Sequence, residues 1–114
     1  MDCLFCEIAN KNIPSDIVFE DDKIIAFKDI SPQAPVHVLI IPKKHFDSLD
    51  SLDESAETIE LMGYVLAKVG KIASSLGVSN GYRLVCNCGE DGQQTVNHIH
   101  FHLLGKRQMN WPPG

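Results

Sequence analysis

The chain has 114 residues, with 10 Lys and Arg against 15 Asp and Glu, and a formal net charge of −5. That length suits one hydrophobic core rather than two, and 44% hydrophobic residues are too many for a disordered tail. The acidic balance excludes a sequence-independent nucleic-acid binder and a polybasic membrane anchor, which both need a basic face, but it allows a local site for one small anion.

Met1-Asp2-Cys3-Leu4-Phe5 has neither a basic n-region nor an apolar h-region, so a secretory signal is not expected. The longest apolar run, Val38-Leu39-Ile40-Ile41, is far short of a membrane span. A cytoplasmic setting, with nuclear residence also open, follows as the expectation. In it the four Cys read as reduced thiols or metal ligands.

In chain order, Cys3 to Asn10 predicts a short helix, because Leu4, Phe5 and Ile8 share one side. Ile17-Val18-Phe19 and Ile24-Ile25-Ala26-Phe27 flank the polar Glu20-Asp21-Asp22-Lys23 and predict a hairpin. Ser31-Pro32-Gln33-Ala34-Pro35 predicts a loop, since neither proline has a backbone donor. Val36 to Pro42 then reads as a buried strand interrupted only by His37. Ser51-Leu52-Asp53-Glu54 fits a capping box for a long helix that Gly77 stops. On that helix Ile59, Met62, Leu66, Val69, Ala73 and Leu76 form a stripe, widened by Leu61, Val65 and Ile72. So broad a stripe fits either deep packing on the chain's own sheet or an additional face buried against a second subunit. Two more strands are expected at Tyr82 to Asn87 and Asn97 to Leu104, joined by the polar loop Cys88 to Thr95. Runs of strands around one long helix point to an α+β domain with an antiparallel sheet.

Asn97-His98-Ile99-His100-Phe101-His102-Leu103-Leu104 alternates polar and apolar residues. On a strand this sets three imidazoles on one face in a row about 13 Å long. Neutral imidazole is a metal ligand, and a His-x-His pair can share one Zn²⁺. It is equally a nucleophile at neutral pH once its second nitrogen is held by a hydrogen bond. Both readings stand on the residues alone.

His98-Ile99-His100-Phe101-His102-Leu103-Leu104 resembles the His-φ-His-φ-His-φ-φ signature of the histidine triad (HIT) superfamily. The stretches Phe19 to Asp22, Ala26 to His37 and Ile41 to His45, and the tail Gly105 to Gly114, resemble the Hint branch, so the likeness spans nearly the whole chain. It implies one HIT domain over 1–114: a five-stranded antiparallel sheet with one long and one short helix, dimerising into ten strands. It also implies a purine nucleoside phosphoramidase, which splits adenosine or guanosine 5′-phosphoramidates into an amine and AMP or GMP without a catalytic cofactor. By the match, His100 is the nucleophile that carries a transient nucleotidyl group, and His37 and His102 hold its ring and surround the phosphate. Asp29 would accept from the ribose hydroxyls, and Phe5, Ile8, Phe27, Ile30 and Leu39 would wall the base. Asn87 and Thr95 would contact the phosphate, with the Thr95 hydroxyl delivering a proton, and Gln93, Gln94 and Val96 would complete the nucleotide-binding set. Where the family loop commonly reads Gly-Gly-Gln-Ser, this chain has Gly92-Gln93-Gln94-Thr95, with Gln93 at a position of a permissive glycine.

Cys3-Leu4-Phe5-Cys6 has the spacing of half a zinc site. The resemblance adds His45 and His98 as matching positions, which would close a structural Cys₂His₂ zinc centre. Cys86 and Cys88 flank Asn87 and point away from it on a strand. Two alternatives to the phosphoramidase are a nucleotide- and zinc-binding adaptor and a dinucleoside polyphosphate hydrolase of the same superfamily.

Overall fold

A computed structural model describes residues 3–114; Met1 and Asp2, on which the signal-peptide reading begins, lie outside the described residues. The first helix, α1 (Leu4–Ala9), starts at Cys3, whose Sγ accepts from the Cys6 N–H at 3.3 Å, and ends at Asn10. Strands β1 (Ile17–Glu20) and β2 (Ile24–Lys28) form the expected hairpin. Asp21 makes its turn by accepting the N–H groups of Lys23 and Ile24 at 2.8 and 2.9 Å. Then come β3 (Val36–Pro42), the long helix α2 (Ala56–Ser75), β4 (Tyr82–Val85) and β5 (Phe101–Gly105). The five strands pair antiparallel in the order β1-β2-β3-β5-β4, so the expected α+β architecture is present.

β3 is buried on both faces, which explains its nearly continuous apolar sequence. Val38 and Ile40, with Ile24, Ala26, Phe101 and Leu103, face α2 through Val65, Val69, Ile72 and Ala73. On the opposite face Leu39 and Ile41 join Ile25, Phe27 and the α1 residues Phe5 and Ile8 in a second, smaller core. Leu39 stands across from His102 in the β3–β5 register. The small core therefore grades into the histidines.

Three expectations change. The N-cap of α2 is Ser55, whose Oγ accepts from the Thr58 N–H at 3.2 Å, while Ser51 ends a separate 3₁₀ turn at Leu49–Ser51. Asp53 takes the Ser55 N–H at 2.8 Å, so an acid from inside the expected box, not its Glu54, holds the true cap. The stripe of α2 also splits: Val65, Val69, Ile72 and Ala73 are buried, but Ile59 and Leu66 are 61% and 53% exposed. Lastly, both late strands are shorter than expected. β4 stops at Val85, and β5 begins only at Phe101, because Val96 to His98 bend and Ile99 donates to the Phe46 carbonyl at 2.8 Å. The three histidines therefore do not form one straight row.

Candidate active site

A cleft of about 600 Å³ opens on the α1 face of the sheet, lined by Phe5 and Ile8 of α1, Phe27 of β2, Leu39 of β3, and His100 and His102. Asp29, Ile30, Thr95 and Val96 also line it. Asn87, Gln93 and Gln94 stand outside its wall. The Gln94 amide is spent on backbone groups, donating to the Asp47 and Val96 carbonyls at 2.7 and 3.0 Å and accepting from Gly89 N–H. Gln93 has φ 62, so it keeps the left-handed backbone of a glycine and bears the strain of its Cβ. Sequence reasoning passed over Leu4, Ile13, Pro14, Ser15, Asp16 and Lys28, which complete the lining. No short motif marks them: Leu4 and Lys28 come with α1 and β2, and Ile13 to Asp16 reach the cleft because the chain after α1 folds back on that helix.

The histidine geometry determines its own tautomers. His37 Nδ1 accepts from the Gln33 N–H at 3.0 Å, so the proton of the neutral ring lies on Nε2. That Nε2–H donates to His102 Nδ1 at 2.9 Å, which places the His102 proton on its Nε2. His100 Nδ1–H donates to the His98 carbonyl at 2.7 Å, leaving the His100 Nε2 lone pair bare among the described residues. Asp29 Oδ1 accepts from the Ser31 N–H at 2.8 Å, and its Oδ2 lies 3.5 Å from His37 Nε2. Phe5 meets His100 edge-on at 5.1 Å between centroids and closes one side of the ring.

Burial, helped by the neighbouring His100 and His37 rings, pushes His102 down from its ordinary 6.5 to about 4. Burial also lowers His37, against the opposing pull of Asp29. Both rings are therefore neutral at pH 7. Because the folded chain resists protonation at these sites, the unfolded chain takes up protons first as pH falls. We expect stability to be unchanged above pH 6.5 by these groups, to decline as pH falls from about 6.5 towards 4, and to level off below. Allowing for partial exposure, the loss is about 2 kcal/mol. Urea unfolding midpoints across that window check it, and His102→Gln flattens the decline.

His98 leaves the cleft and joins Cys3, Cys6 and His45, whose donor atoms all lie within 4.8 Å of one another. His45 and His98 present Nδ1 atoms 3.1 Å apart; Cys3 Sγ is 3.4 Å from His98 Nδ1, and Cys6 Sγ is 3.3 and 3.5 Å from those of His45 and His98. Ordinary zinc bond lengths on a tetrahedron give edges of about 3.3 Å between nitrogens and about 3.5 Å from nitrogen to sulfur. The donor set fits such an ion. The outer nitrogens agree: His45 Nε2–H donates to Asp47 Oδ1 at 2.7 Å, and His98 Nε2–H to the Pro42 carbonyl at 2.8 Å. Each ring thus turns an unprotonated Nδ1 inward, and two facing lone pairs need a cation between them. Burial and the Cys3 sulfur push the Cys6 thiol up to about 11, a cost that a bound dication removes by holding the thiolate.

A profile of the HIT domain matches residues 10–109. The "14 kDa zinc-binding protein" of Zea mays is 53% identical over 97% of this chain and 87% of its own. "Adenylylsulfatase HINT1" of Arabidopsis thaliana is 50% identical over 97% of this chain and 76% of its own. Among solved structures, a HIT family hydrolase from Legionella pneumophila Philadelphia 1 superposes with a TM-score of 0.94 at 51% identity, covering 99% of this chain and 100% of that one.

Proposed function

We propose that this chain, which belongs to the HIT family, hydrolyses purine nucleoside 5′-phosphoramidates through a nucleotidyl intermediate on His100. The observation that carries the reading is the bare His100 Nε2 at the cleft wall, its tautomer set by the His98 carbonyl. That lone pair attacks the phosphorus in line, the P–N bond breaks and the amine departs with a proton. Water then attacks the phosphorus and yields a proton that restores the Thr95 hydroxyl, the bond to His100 Nε2 breaks, and AMP or GMP is released. The relay through His37 makes the His102 Nε2–H a donor towards the phosphate, and the exposed Thr95 hydroxyl serves the departing amine. Asp29 takes the ribose, while Phe5, Ile8, Phe27, Leu39 and Ile30 wall the base. Cys3, Cys6, His45 and His98 would hold a zinc ion that serves as a structural clamp, while His100, His102 and Thr95 carry the chemistry at phosphorus.

A second reading changes the leaving group. The relative named Adenylylsulfatase HINT1 favours adenylyl sulfate, where sulfate departs in place of the amine and the same attack on phosphorus applies. Parallel turnover assays with a fluorogenic adenosine phosphoramidate, adenylyl sulfate and a diadenosine polyphosphate decide between them. Faster turnover of the phosphoramidate is the result expected; no turnover of any would leave the adaptor reading.

The homodimer belongs to the same proposal. Ile59, Gly63, Leu66 and Gly70 are all exposed on α2 and follow one another at helical spacing. This uncharged stripe supports α2 as the subunit contact. Leu66→Glu would set a charge there and is expected to give a monomer in analytical ultracentrifugation at concentrations where the parent chain sediments as a dimer. Free thiols at all four cysteines accord with a cytoplasmic setting, and among the described residues no helix is long and apolar enough to cross a membrane.

A further inference from the structure

We propose that the Cys3–Cys6–His45–His98 centre positions the nucleotide cleft, so that zinc and a purine mononucleotide bind with positive, reciprocal coupling. The inference rests on the hydrolase reading above and concerns how its site is regulated.

Three contacts join the two sites. The first is α1, which has only six residues, too few to hold a helix by its own hydrogen bonds. Cys3 and Cys6 belong to the donor cluster, while Phe5 and Ile8 are buried in the cleft wall. Clamping the two sulfurs therefore fixes the two apolar side chains. The second is His98, whose ring is a donor of the cluster and whose carbonyl holds His100 Nδ1–H at 2.7 Å. One residue thus ties the metal geometry to the direction of the His100 lone pair. The third is the loop at Thr95 and Val96. It lines the cleft on one side and, on the other, a hollow of about 450 Å³ lined by Cys3, His45 and Asp47. An ion that orders α1, the His98 carbonyl and this partition removes ordering that AMP would otherwise have to supply. Linkage then requires AMP to tighten zinc by the same factor.

The test uses the full chain, stripped with a chelator or loaded with zinc. AMP affinity is measured by calorimetry in both states, and zinc affinity by chelator competition with and without AMP. We expect AMP to bind about tenfold more tightly to the loaded chain, and zinc to tighten by a matching factor. The His100 Nδ1–H resonance should sharpen on loading. Asp47→Asn, which weakens His45 as a ligand from outside the cleft, should shift the zinc dependence of AMP binding to higher zinc while leaving its plateau unchanged. Equal AMP affinities in the two states overturn the proposal. So does collapse of the whole sheet on stripping, seen by circular dichroism, because the centre would then be a global staple. Failure of AMP to bind in either state overturns the nucleotide reading itself, and the coupling with it.

Discussion

His100→Ala is expected to lower phosphoramidate turnover by about 10⁴-fold or more, the scale seen when a covalent nucleophile is removed. The parent chain should form one equivalent of acid-labile nucleotidyl-protein in a rapid quench, and the variant none. Folding should survive: the His100 ring lies at the cleft wall and, among the described residues, makes one hydrogen bond, to a backbone carbonyl. A matched pair of melting curves separates the two effects. His102→Gln and His37→Gln should each cost less, because the His100 lone pair stays bare when either is replaced. Undiminished turnover in His100→Ala would remove the mechanism, whatever substrate is used.

Gly92→Ala is the second large effect. A Cβ at position 92 would lie 2.5 Å from the Cys88 carbonyl oxygen and 2.9 Å from the Cys88 nitrogen. Both are backbone atoms, so no side chain can rotate out of the way, and the 88–95 loop must open. That loop ends at Thr95, on the lip of the cleft. A displacement of about 1 Å at a positioning group costs on the order of 10²-fold in rate. The expected pattern is a fall of that size in kcat/KM, with the strain lowering stability by about 1–3 kcal/mol. Gly92→Ala with wild-type turnover would show that the loop has no part in positioning the reacting groups. Gly92 is not among the residues with a positive φ, so close approach to Cys88, not backbone freedom, is what holds glycine at 92.

Much of this was legible in the residues. β2 and β3 follow from their nearly unbroken apolar runs, the core face of α2 from its helical period, and the hairpin turn from its acids. The start of β5 was hidden because His-φ-His-φ-His alternates from residue 98, whereas pairing with β3 starts opposite Ile40 at Phe101. Alternation reports which way side chains point, not where a ladder begins. Ser51-x-x-Glu54 matched a capping pattern that Ser55 supplies instead, since both serines sit among acids and only tertiary packing chooses the entry of α2. Cys-x₂-Cys was visible as half a site, but the roles of Asp47 and the Pro42 carbonyl behind the two imidazoles depend on contacts between distant segments. The exposure of Ile59 and Leu66 was equally unreadable: a broad apolar stripe does not say how much of its width one sheet can cover.

The strand order also bears on synthesis. Among the described strands β5 is made after all the others, yet it lies between β3 and β4. While the chain emerges from the ribosome, β1, β2 and β3 can pair, but the free edge of β3 stays open until residues 101–105 appear. An open, apolar edge strand invites pairing with another chain. The nascent chain therefore carries this hazard throughout the synthesis of α2 and β4, and the strand that ends it also delivers His102 to the cleft, with His100 just ahead of it.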